Sequence, residues 1–349
     1  MVTSVTLDDV LDGLALRNGR QGEAVAATVR ALAAAAIGLA DLIGAGPLSG
    51  PLGAVRGEAA SGDIQKQLDV EADALVTAAL RGAPVAVVGS EEMDAPLVLD
   101  PGAPLAVAID PLDGSSNIDT NAPVGTIFSL LPMPQEAGAL PVCAFQQSGR
   151  RQLAAGFFIY GPQTALVLTL GEGTQAFTLD RTCGVFRMTA HRLKVPEETR
   201  EFAINASNRR HWDEAVQLYV QDCQQGRDGP RGSDFNMRWI ASMVAEAYRI
   251  LVRGGVYLYP ADARQGYHQG RLRLVYEAHP VAFLMEQAGA SATDGRVSIL
   301  DLAATSLHQR VPLVFGSVGE VRRVARYHTT PSALPERAPL FGARGLFRA

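Results

Sequence analysis

A short apolar run that breaks, without a spacer, into Asp110-Pro111-Leu112-Asp113-Gly114-Ser115-Ser116-Asn117 constrains this chain more than any other feature. Residues 105–109 read Leu-Ala-Val-Ala-Ile and are bounded by turn residues, the pattern of a buried strand. Two carboxylates therefore leave the carboxyl end of an interior strand, a usual place for ligand sites in α/β sheets. A second run, at 85–88, ends in Gly89-Ser90-Glu91-Glu92, and a third lies at 126–131. Asp63 and Asp69 sit at the start of a helical segment, and Glu277 closes a segment over 271–276 that reads as a strand.

Carboxylates gathered this way need cations. Two like charges about 4 Å apart repel by roughly 4 kcal/mol at an effective dielectric near 20. Either several are protonated or divalent metals neutralise them. Oxygen ligands suit Mg²⁺, with Mn²⁺ as the alternative, and no histidine or cysteine stands nearby to favour zinc. Gly114, Ser115 and Ser116 offer backbone N–H groups and hydroxyls at a helix start, which suits a phosphate. Metals beside a phosphate cradle point to metal-assisted hydrolysis of a phosphate ester. Alone, Asp-Pro-x-Asp-Gly can be an ordinary turn and Glu91-Glu92 a solvated helix start; together, at strand ends, they favour a metal site. A calcium loop fails because position twelve is Asn121.

The rest of the pattern is mixed. Apolar periodicity predicts helices over 7–16, 22–43 and 63–80, with a glycine-rich mobile loop at 44–62. A meander of strands follows over 153–188, turning at 161–162, 171–173 and 182–184. The second half predicts a strand at 202–205, helices over 212–223 and 236–252, a strand at 256–259, a helix over 280–288, a strand at 311–315 and a helix from about 319. This is a layered α/β (α+β) chain in two parts: an N-terminal domain at 1–195, a C-terminal domain at 196–330, and a loose tail at 331–349.

Composition removes other classes. A net charge of −5 gives no broad basic face for nucleic acid. Three cysteines, Cys143, Cys183 and Cys223, form no close pair, which argues against a disulfide framework and for a reducing compartment. The longest uncharged stretch near the N-terminus, 31–40, falls short of the roughly 18 residues a membrane span needs. Asp8, Asp9 and Asp12 stand where a signal peptide would be basic. A cytoplasmic chain without membrane or nucleic-acid partners is expected. Gly171-x-Gly173-x-x-Ala176 matches a dinucleotide fingerprint only by letters, since a strand follows it where a helix is required.

Gly62-Asp63-Ile64-Gln65-Lys66-Gln67-Leu68-Asp69, Ser90-Glu91-Glu92, the segment 109–119, Ser242-Met243-Val244-Ala245 and Leu272-Arg273-Leu274-Val275-Tyr276-Glu277 resemble class I fructose-1,6-bisphosphatase, in order over residues 20–328. The wider inositol-monophosphatase-like superfamily shares only the Asp-Pro-x-Asp-Gly core and the acidic pair. The resemblance implies a layered α/β/α/β/α sugar phosphatase fold with the site between two halves, the N-terminal half being regulatory in the family. It implies Mg²⁺-dependent removal of the 1-phosphate of fructose 1,6-bisphosphate, in gluconeogenesis or the Calvin cycle. By the same likeness the metal ligands are Glu91, Asp110, the Leu112 carbonyl, Asp113 and Glu277. Glu92, Asp69 and Asp63 serve the attacking water; Asp113, Gly114, Ser115 and Ser116 hold the 1-phosphate and sugar. Asn205, Arg238, Tyr259 and Arg271 hold the distal phosphate, and Met243 packs on the sugar. Arg238 matches an arginine that reaches in from a neighbouring subunit, so a homotetramer is implied.

Some positions depart from the family. Asn208 and Trp239 stand where tyrosines are usual, and Arg271 replaces a lysine, adding a bidentate fork. The stretch 266–273 looks like bacterial Calvin-cycle members, some of which also accept sedoheptulose 1,7-bisphosphate. Pro104 and Leu105 replace the Lys-Tyr pair of AMP-inhibited members, so AMP inhibition by that route is expected to be weak. With Cys143 alone between residues 133 and 153, dithiol control is not expected. The enzymatic alternative is a related metal-dependent phosphatase of inositol phosphates or nucleotides, which has no need of Arg238 and Arg271. The non-enzymatic alternative is a sugar-phosphate-binding regulator.

Overall fold

The computed structural model describes residues 5–50, 53–58, 64–134 and 140–329. Asp63 and the 331–349 tail lie outside the described residues.

The chain opens with α1, Leu7–Ala45, capped by Thr6 and broken by non-helical backbone at Gly19. Two short strands, β1 (Val55–Glu58) and β2 (Ile64–Lys66), pair antiparallel and lead into α2, Gln67–Leu80. The expected loop at 44–62 is thus partly regular, and the helix expected from 63 begins at Gln67.

Eight strands then form one sheet: β3 (Val85–Ser90), β4 (Leu97–Val98), β5 (Leu105–Asp113), β6 (Val124–Pro132), β7 (Ala154–Tyr160), β8 (Thr164–Thr169), β9 (Thr174–Asp180) and β10 (Val185–Leu193). Their order is β10-β9-β8-β7-β6-β5-β3-β4, with β3 and β5 as the parallel pair. Alternation along β5 separates two cores: Leu105, Val107 and Ile109 face α1 and α2, while Ala106 and Ala108 face the other way. Phe128, Phe158 and Phe186 fill the first core, with neighbouring ring centroids 5.7 Å apart. Full burial of such a side chain contributes about 1.5–3 kcal/mol. Among the described residues, Leu7–Ser49 is the one helical stretch whose length and composition would allow it to cross a membrane. Here its Leu11, Val29 and Leu39 pack into that core.

The second half contributes β11 (Glu201–Ala203), α3 (Glu214–Gln224), β12 (Asn236–Met237), α4 (Met243–Arg253), β13 (Val256–Tyr259), β14 (Leu272–Arg273), α5 (His279–Gln287), β15 (Ser291–Thr293), β16 (Arg310–Val311), β17 (Leu313–Gly316) and α6 (Val318–Thr329). Five of these strands form a second sheet ordered β12-β11-β13-β17-β15. Helices α4 and α5 lie between the sheets, where Val244, Ile250, Val281 and Leu284 share a core with Ala108, Tyr257 and Phe315. Outside the second sheet, α3 and α6 bury Val216, Tyr219, Val324 and Tyr327 against Val256 and Leu258. The layers therefore run α/β/α/β/α, as the resemblance implied.

Two element assignments need correction. The helix expected over 236–252 starts at Met243, because Asn236–Met237 pairs with β11 and Ala241 adopts a left-handed backbone (φ 60°) ahead of the Ser242 cap. The strand expected over 271–276 stops at Arg273 and continues as a π turn, Leu274–Ala278.

Candidate active site

The strand β5 is irregular where it carries the carboxylates. Asp110 pairs with Ile127 and Asp113 with Gly125, with a register shift between them. On a regular strand, residues three apart point to opposite faces; the irregularity resets the alternation. Thr126 Oγ1 donates to the Pro111 carbonyl at 2.9 Å and pins the turn. Gly114 follows at φ 78°, the left-handed region that favours glycine, and opens the short 3₁₀ helix Ser115–Thr120.

Each carboxylate is held by backbone. Asp110 accepts the Leu112 N–H at 2.9 Å. Asp113 accepts the Val244 N–H at 3.0 Å at the start of α4, with Ser242 Oγ at 3.4 Å. Glu277 sits in the π turn before α5 and accepts the Arg273 N–H. Carboxylate oxygens of Asp110, Asp113 and Glu277 lie within 4.8 Å of one another, and all three residues are buried. Glu91 follows β3, donates its N–H to the Ile109 carbonyl at 3.0 Å, and comes within 3.4 Å of the buried Arg273 guanidinium.

The electrostatics follow from crowding without solvent. Burial, then the neighbouring charges of Glu91, Asp113, Glu277 and Glu92, push Asp110 well above the usual carboxylate range. Burial and Glu91 do the same to Glu277. Asp113 is pushed up only to about 6, because the N–H of Val244, the Ser242 hydroxyl and the Met243 N–H offset part of its burial. Three buried, mutually repelling oxygen donors make a set that fits a hard divalent cation.

A cavity of about 760 Å³ opens above this group. Of the residues singled out from sequence, Asp69, Glu91, Glu92, Asp110, Leu112, Asp113, Gly114, Ser115, Ser116, Asn205, Met243, Tyr259, Arg271 and Glu277 all line it. Asp69 accepts the Lys66 N–H at 2.6 Å and the Ser115 hydroxyl, tying α2 to the turn after β5. Arg238 is not on the wall; its guanidinium lies 3.5 Å from Glu201 and is half exposed. Trp239 does line the cavity, stacked on Tyr257 at 5.9 Å, whereas Asn208 does not.

The sequence reading missed several wall residues and supports. Lys66 lines the cavity and pairs with Asp119 at 2.8 Å. Ser90 Oγ donates to Asp73 at 2.6 Å, bracing α2 against the acidic turn. Arg273 is 2% exposed, and its signal was an arginine at an inward position of an apolar run.

A five-layer α/β chain with an acidic cavity at the junction of its halves has the architecture of the sugar phosphatases. The family model for the fructose-1-6-bisphosphatase N-terminal domain matches residues 20–191, and that for the C-terminal domain matches 195–329. Class 1 fructose-1,6-bisphosphatases of Nitrobacter hamburgensis and Rhizobium meliloti are 56% and 55% identical, each over 100% of both chains. The crystal structure of Leishmania major fructose-1,6-bisphosphatase in holo form superposes with a TM-score of 0.87 at 32% identity, covering 93% of this chain and 99% of that one. The chain belongs to the class I fructose-1,6-bisphosphatase family.

Proposed function

We propose that this cavity hydrolyses the 1-phosphate of fructose 1,6-bisphosphate to fructose 6-phosphate and phosphate. The observation that carries the reading is the meeting of Asp110, Asp113 and Glu277, from elements far apart in sequence, within 4.8 Å in a buried cluster. Family membership across residues 20–329 supplies the substrate class.

Asp110, Asp113, Glu277, Glu91 and the Leu112 carbonyl would hold divalent cations, with Mg²⁺ the expected ion. When bound, such ions neutralise the cluster and make a coordinated water more acidic. The chain's own groups do the rest. Glu92, which lines the wall, would accept a proton from the attacking water with Asp69 supporting it, and Asp63, outside the described residues, would be the third acid. Ser115, Ser116 and the N–H groups after Gly114 cradle the reacting phosphate. Asn205, Tyr259 and Arg271 bind the distal phosphate, and Met243 packs on the sugar, so that binding at one end orients the other.

Arg238, which does not line its own cavity, supports the reading that a second copy receives it, within a homotetramer. The division at 195/196 then separates a metal-bearing domain from a sugar-phosphate-binding one, with Glu277 and Met243 returning from the second to complete the site. Similarity to bacterial relatives supports a cytoplasmic enzyme, and the resemblance carried by residues 266–273 suggests sedoheptulose 1,7-bisphosphate as a second substrate.

The test is phosphate release from fructose 1,6-bisphosphate with and without Mg²⁺. Wild-type protein should require the ion, and Asp113→Ala should lose on the order of a hundredfold or more in kcat. Wild-type turnover that persists in excess chelator would sink the metal assignment. Activity confined to inositol phosphates or nucleotides would sink the substrate.

A further inference from the structure

The loop between β13 and β14 is braced from within. Asp262 donates its N–H to the Tyr267 carbonyl at 3.1 Å, Tyr267 to the Arg264 carbonyl at 3.0 Å, and Gly270 back to the Tyr267 carbonyl at 3.0 Å. Asp262 is 8% exposed, and both of its carboxylate oxygens accept from Arg264 Nε at 3.0 Å. The guanidinium fixed this way lies 4.3 Å from the centre of the Tyr267 ring. The Arg271 guanidinium lies 5.5 Å from the same ring, and its Nη1 donates to the Tyr267 hydroxyl at 3.0 Å.

Among the described residues, Lys66 and Arg271 are the basic side chains on the cavity wall, and Lys66 already faces Asp119. Arg271 is exposed. Left alone, an exposed arginine samples many rotamers, and freezing them on binding costs affinity. A tyrosine pinned by backbone bonds and by a second, charge-compensated guanidinium removes part of that cost before substrate arrives. A guanidinium carries five donors, so one bond to a hydroxyl does not exhaust its fork.

We infer that Tyr267, steadied by Arg264 and Asp262, is a positioning residue that presets the Arg271 guanidinium for the second phosphate of the substrate. It thereby sets the preference for bisphosphates over monophosphates. The inference rests on the sugar-bisphosphate reading given above. Neither Tyr267 nor Arg264 lines the cavity; both act through Arg271.

The experiment measures Mg²⁺-dependent phosphate release from fructose 1,6-bisphosphate and from fructose 1-phosphate. It compares wild type, Tyr267→Phe, Arg264→Gln, Arg271→Met and the Tyr267→Phe/Arg271→Met double variant. Tyr267→Phe keeps the ring and loses the hydroxyl. Its KM for the bisphosphate should rise about three- to tenfold, the worth of one such hydrogen bond, with kcat within about twofold. The ratio of kcat/KM between the two substrates should fall by the same factor. Arg264→Gln, which loosens the ring without touching the hydroxyl, should move that ratio the same way by less. With Arg271→Met present, adding Tyr267→Phe should change nothing further. An unmoved KM for the bisphosphate, equal losses on both substrates, or full additivity in the double variant would each overturn the inference. Wild type inactive on the bisphosphate would remove the functional reading and this one together. An active wild type with unaltered Tyr267→Phe would remove this one alone.

Discussion

His279 shows how much a single buried group can impose on the chain. It directly follows the π turn that carries Glu277, is 4% exposed, and places Nε2 3.2 Å from the Leu302 carbonyl. Burial pushes its imidazole down from 6.5 to about 4. A depressed histidine is neutral when folded and takes up a proton more readily when unfolded, so its stabilising contribution is complete above about 6.5 and is lost as pH falls toward 4. At pH 5 the loss is about 2 kcal/mol. The urea midpoint of wild type relative to His279→Gln should therefore fall between pH 7 and pH 5, the raised carboxylates of the acidic cluster contributing alike to both proteins. Parallel pH profiles for the two proteins would refute the assignment.

At the scale of elements, the site depends on how closely α4 approaches β6. A Cβ added at Gly125 would meet the Phe158 carbonyl at 2.4 Å and Val244 Cγ2 at 2.6 Å. The first clash is with backbone of the paired strand β7 and the second with α4, so both the strand pairing and the helix must shift. Gly125→Ala should cost about 1–3 kcal/mol. Because Val244 donates to Asp113, the same change should also weaken Mg²⁺ binding. Thermal unfolding and Mg²⁺ titration would check both, and a variant with wild-type midpoint and affinity would show that the approach is looser than described.

Elements with a clear period were legible in the sequence. The interior strands at 85–88, 105–109 and 126–131 and the meander over 153–188 appear where turn residues bounded them. The segment 271–276 was read as a strand because buried residues of a strand and of a tight turn are equally apolar; only the inward Arg273 hinted otherwise. The start of α4 was misplaced because Asn236–Met237 is stabilised by pairing with β11, a contact no local pattern records. The acidic wall residues were readable since like charges at strand ends demand a reason. Lys66, Asp73 and Trp239's stacking on Tyr257 came from tertiary placement, with no spacing to announce them.

At the scale of the whole molecule, the cluster is a strain the fold carries until an ion relieves it. Burial raises Asp110, Asp113 and Glu277, and neighbouring carboxylates raise Asp110 and Glu277 further, so protons compete with a metal. Mg²⁺ at a hundred times its Kd should add about 2.7 kcal/mol to stability. That gain should be larger at pH 8 than at pH 5.5, as the carboxylates shed their protons. Asp110→Asn removes one of the repelling charges; it should raise the metal-free melting temperature at pH 8 while abolishing the Mg²⁺-induced shift. Differential scanning calorimetry of chelated and Mg²⁺-loaded protein tests both, and a wild type indifferent to Mg²⁺ would contradict the picture.

The acidic cluster closes only when Glu277 docks beside a turn made 164 residues earlier in the sequence at Asp113. On a ribosome, the acidic turns after β3 and β5 emerge long before their last partner. A cation therefore has no finished pocket to nucleate around during synthesis. A cation bound by these three carboxylates would act as a late seal, rewarding only those molecules whose two halves have already met in the right register.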